Sequence, residues 1–156
     1  MKLAEALANR KALQDRVAAL TNRARKSVLA VEGRTATESA ERLMADIAMA
    51  LEQWEKRVVE INQANMEIQL DNGMTVMEAL ARRDRLTRHV GVLNELMQVV
   101  LGPGNERYAM MPREAAQMIP TVDISQLQAV IDQLTDERRD LDLAIQEAGW
   151  THEIKS

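Results

Sequence analysis

The chain contains no cysteine in 156 residues. That excludes disulfides, thiolate metal sites and a cysteine nucleophile, and it fits a reducing compartment. Phenylalanine is also absent, tyrosine occurs once and tryptophan twice, so the 46% apolar share rests on Ala, Leu, Val, Ile and ten Met. This is a helix-forming composition. Six glycines and three prolines fall mostly between the periodic segments. No apolar run approaches the roughly 20 residues of a membrane span. Glu5, Arg10 and Lys11 interrupt the opening residues, which predicts no secretory signal. The expectation is a soluble cytoplasmic protein forming one domain over residues 1–156, long enough to bury its own core.

Four long helical patterns carry that expectation. Leu3, Ala6, Leu13, Val17, Leu20 and Ala24 follow spacings of three and four. Met44, Ile47, Leu51, Trp54, Val58, Ile61, Asn65 and Ile68 form a second stripe, ended by Asp71, Asn72 and Gly73. Thr75 and Glu78 match the capping box of a third helix, with Val76, Ala79, Arg83, Leu86, Val90, Leu93, Met97 and Val100 on its stripe. The fourth opens near Thr121 or Asp123, runs through Ile124, Leu127, Ile131, Leu134, Arg138, Leu141, Ile145 and Ala148, and is expected to stop at Gly149. A short link between the second and third helices forces an antiparallel hairpin. The fold class predicted is all-α: an up-and-down bundle of four long helices. The two longer loops, at 27–36 and 102–120, fall at one end and are expected to pair as a short two-stranded β ribbon through Ser27–Val31 and Arg107–Met111.

Charge alternates along these helices. Residues 1–26 hold seven basic and two acidic side chains, whereas residues 27–72 hold four and nine. Antiparallel neighbours therefore attract, with an effect on topology and partner choice larger than on stability.

Several chemistries lack their residues. A di-metal bundle centre wants Glu-x-x-His, but Leu86 and Gly149 precede His89 and His152 at that spacing, so no metal is expected. Gly102, Pro103, Gly104 and Asn105 follow a helix without the lysine of a phosphate loop. No nucleophile, base and orienting group stand out, so the chain reads as non-enzymatic and free of cofactors. Arg82, Arg83, Arg85, Arg88 and His89 cluster on the third helix, and Arg23, Arg25 and Lys26 end the first. With a pI near 5.3 and three aromatic residues, pairing with acidic helices explains them better than nucleic acid does.

Met1 to Leu7, Ile61 to Asn65, Leu70 to Asp84 and Thr121 to Trp150 together resemble a family of small bacterial proteins labelled septicolysin-like. The resemblance implies a mostly helical, oligomeric cytoplasmic protein, a closed ring, whose role is not established. Its label suggests a membrane-acting, cytolysin-like alternative. The loop with Tyr108, Met110, Met111, Met118 and Ile119 suits a subunit interface better than lipid, because methionine and tyrosine adapt to partner surfaces.

Polar residues interrupt the apolar stripes at Arg10, Asn65, Arg83 and Arg138. Helix rise places all four roughly 8 to 15 Å from one end of an up-and-down bundle, so they could share a layer, with Asp84, Asp142 or Glu67 supplying carboxylates from this chain or a second copy. Each arginine could equally lie at a stripe edge with its head in water. The reading is a non-enzymatic homo-oligomer of structural or scaffold type.

Overall fold

The structure is a computed structural model, and it describes residues 1–102 and 119–154. Four long helices dominate these residues: α1 (Leu3–Ser27), α2 (Ala40–Glu67), α3 (Val76–Leu101) and α4 (Ile124–Thr151). The fold is all-α and built from antiparallel helix pairs. The chain divides into two compact units, one comprising Met1–Met77 with Gln146–Ser156, the other Glu78–Ile145.

The first unit is organised by the α1–α2 pair. Ser39 starts α2 by accepting the Arg42 backbone N–H on its hydroxyl at 3.2 Å, which satisfies one of the first-turn amides that have no helical acceptor. Leu20 and Ala24 near the end of α1 pack against Leu43 and Ile47 near the start of α2, so the helices run antiparallel. That contact sets the register of two heptad patterns. Carried along the pair at equal rise, it places Leu3 opposite Ala64, Ala6 opposite Ile61, Arg10 opposite Arg57, Leu13 opposite Trp54 and Val17 opposite Ala50. Leu3, Ala6, Ala50, Ile61 and Ala64 are all buried. The buried face of α2 is thus Leu43, Ile47, Ala50, Trp54, Arg57, Ile61 and Ala64. The expected stripe is rotated by about one residue, and Met44 and Leu51 are exposed. The reason is that α2 has more apolar positions than one face can hold.

The α2–α3 link is tight, as the sequence predicts. Gly73 adopts φ 81°, which favours glycine, and its N–H reaches Leu70 O at 2.9 Å. Asn72 Oδ1 accepts the Met74 N–H at 3.0 Å, and the Val76 N–H returns to Ile68 O at 2.9 Å. The chain ends meet in the same unit. The Leu3 N–H donates to His152 O at 3.2 Å, the Ile154 N–H to Met1 O at 2.9 Å, and Lys2 and Glu153 form an antiparallel bridge.

In the second unit, Val90 and Met97 of α3 pack with Ile131 of α4, flanked by Leu93, Leu127 and Leu134. This contact pairs Leu93 with Ile131, and the same register sets Arg83 beside Leu141. The Arg83–Asp142 ion pair at 3.4 Å agrees with that placement. Val90, Leu93 and Met97 of the stripe expected for α3 and Leu127, Ile131 and Leu134 of the stripe expected for α4 make this contact.

Two expectations need correcting. Gly149 does not stop α4, which continues through Trp150 to Thr151. Gly149 is buried where the end of α4 lies beside the first turn of α1, and a Cβ placed there would sit 3.7 Å from Ala4 Cβ, an ordinary van der Waals contact. The β ribbon is not supported: Val28–Val31 form no strand or bridge, and Val28, Leu29 and Val31 are exposed. Its other half, Arg107–Met111, lies outside the described residues. Among the described residues, the isolated bridges are Lys2–Glu153 and Gln69–Thr75, where adjoining hydrogen bonds hold them; a two-stranded pair in water has little else to stabilise it.

Candidate functional site

Of the residues singled out in the sequence, Arg83, Asp84 and Asp142 come together in the second unit. The Arg83 guanidinium lies 3.1 Å from Asp84 Oδ1 and 3.4 Å from Asp142 Oδ1. Its side chain is 34% exposed and the two carboxylates more so, which makes this a solvated clasp between α3 and α4. Arg138 is half-buried in the same unit. Arg10 and Asn65 belong to the first unit and are half-buried. The residue level with Arg10 is Arg57; Asn65 falls eight residues further along α2, roughly 12 Å away at helical rise. Tyr108, Met110 and Met111 lie outside the described residues. Arg82, Arg85, Arg88 and His89 are exposed on α3.

The unusual polar chemistry sits on α1 and α2. Arg57 pairs with Glu60 one turn on, and Lys56 lies 3.9 Å from the same carboxylate. Glu60 is 8% exposed, and a buried carboxylate needs such partners. Arg10 Nε, Trp54 Nε1 and Arg57 Nε are all buried without a hydrogen-bond partner. Sequence reading placed Trp54 on a stripe and missed Arg57. The signal was present, since Arg57 continues the heptad Leu43, Ala50, Arg57, Ala64.

Among the described residues, no group of His, Asp and Glu is placed to hold a metal ion. A depression lined by Glu60, Gln63, Ala64, Glu67, Ile68, Glu153 and Ile154 encloses about 50 Å³, room for water and far below a substrate pocket of several hundred Å³. Arg23 and Glu38 form a solvent-accessible ion pair between α1 and the loop before α2. Their hydrogen bond holds the Glu38 carboxyl below the usual carboxylate range and raises Arg23. His152 Nδ1 lies 3.2 Å from Ala148 O at the end of α4, a helix-end position.

No curated protein matches this chain. Its fold is similar to the crystal structure of a functionally unknown conserved protein from Corynebacterium diphtheriae, at 26% identity over 99% of both chains with a TM-score of 0.82. A family model matches residues 10–154, and the chain therefore belongs to the family of unknown function DUF6847.

Proposed function

We propose that this protein acts by assembling with copies of itself, as a non-enzymatic cytoplasmic homo-oligomer of structural or scaffold type. The observation that supports this most is the second apolar face of α2. Met44, Leu51, Val59 and Met66 recur at spacings of seven and eight, and each is between 46% and 55% exposed. A helix in a single pair needs one apolar face, and a second one directed to water marks an interaction surface. Val92, Leu96 and Val99 repeat the pattern on α3 at spacings of four and three.

The test is the solution mass by light scattering, for the wild type and for Leu51→Glu combined with Val59→Glu. The wild type should give a multiple of 17.5 kDa, and the charged variant a smaller species with unchanged helicity. A monomeric wild type defeats the proposal. The same apolar residues serve the septicolysin-like, membrane-acting alternative, which no spanning helix among the described residues would assist. Leakage from anionic lipid vesicles by the wild type, lost in the charged variant, would favour that alternative.

A further inference from the structure

The α1–α2 seam is apolar in every layer but one. Carried along the pair from the contact of Leu20 and Ala24 with Leu43 and Ile47, helical rise sets Arg10 level with Arg57 in that layer and Trp54 level with Leu13 in the next. Both guanidinium Nε atoms and the indole Nε1 are buried with no acceptor. Like charges placed opposite each other in a seam repel, and the carboxylate at hand, Glu60, is taken by Arg57 and Lys56. Arg10 has no ion pair or hydrogen bond among the described residues. The acids nearest to it on α1 do not serve it: Glu5 accepts the Lys2 backbone N–H at 2.9 Å, and Asp15 is exposed. Donors and positive charge exceed acceptors here, and both arginines retain solvent-exposed area through which a ligand can approach.

We propose that Arg10, Arg57 and Trp54 form an oxyanion-binding site, in which one carboxylate or phosphate group bridges the two guanidinium groups and accepts the indole N–H. The planar fork of arginine matches both oxyanions, and a bridging anion relieves the repulsion between the paired arginines. The oxyanion could be free in solution or be an Asp or Glu side chain of a second copy, and the second source rests on the self-assembly proposed above.

A Trp150→Phe background leaves Trp54 as the sole indole, because the chain has two tryptophans. Its fluorescence is titrated with inorganic phosphate and with acetate at constant ionic strength, against chloride. A free-anion site gives a saturable change that chloride does not, weakened at least tenfold by Arg10→Met and less by Arg10→Lys. A carboxylate from a second copy gives no saturable change, but Arg10→Met then lowers the solution mass with helicity retained, and Arg10→Lys restores part of it. Phosphate binding to a monomer upholds the site and removes self-assembly. An oligomer whose mass ignores Arg10→Met, and whose Trp54 ignores both anions, overturns the site alone.

Discussion

At the residue scale, burial decides which ion pair matters. The Arg83 clasp to Asp84 and Asp142 has more partners than Arg57 has, yet all three side chains keep substantial contact with water. Water replaces what is lost when such a pair is cut, so Arg83→Met should cost no more than about 1 kcal/mol. Arg57→Met removes the nearer cation from Glu60, whose side chain is 9% exposed, and leaves Lys56 at 3.9 Å. A poorly paired buried carboxylate is destabilising, so this change should cost on the order of 1–3 kcal/mol. Urea melts of the two variants compare them directly, and equal costs would refute the ranking. Arg83 could be picked from the sequence because it interrupts an otherwise apolar stripe. Arg57 could not be picked from the stripe through Met44 and Leu51, because on that stripe it lies off the face.

At the element scale, helix positions were legible because the chain alternates spacings of three and four for seven turns and marks its stops. The expected third helix and the observed α3 (Val76–Leu101) agree closely. What was ambiguous was the rotation of α2. Leu43, Ala50 and Ala64 compete with Met44, Leu51 and Asn65 for the core, and both sets fit a heptad. The smaller alanines are buried at 2% and 6% exposure, since close approach of α1 favours small side chains in the seam. The α2–α3 turn carries its own prediction. Gly73 sits at φ 81° with nothing within 4 Å of an added Cβ, so the cost of Gly73→Ala is backbone strain alone. About 1–2 kcal/mol is expected from the left-handed conformation, read as a lower urea midpoint with unchanged helicity. A change within about 0.3 kcal/mol would mean that the turn relaxes to another form.

At the scale of the whole molecule, the two chain ends meet. Ile154 is 6% exposed, and its N–H donates to Met1 O. Terminal residues usually tolerate change, but this one behaves as core: Ile154→Ala should cost about 2–5 kcal/mol in a urea melt. A cost below about 0.5 kcal/mol would show that the ends contribute nothing to stability. The sequence alone determined the helical class, the number and approximate positions of the long helices and the tight α2–α3 turn, because these follow from local spacing, capping residues and glycine. It did not determine which face of α2 is buried, that α4 runs on through Gly149, that the β bridges lie at the chain ends and in the α2–α3 turn, or that Arg10 stands level with Arg57. Those depend on which residues of distant segments come to lie opposite one another, and local periodicity is the same for every register. Only the packing of Leu20 and Ala24 on Leu43 and Ile47 chose one register, and with it the layer in which Arg10 and Arg57 stand level.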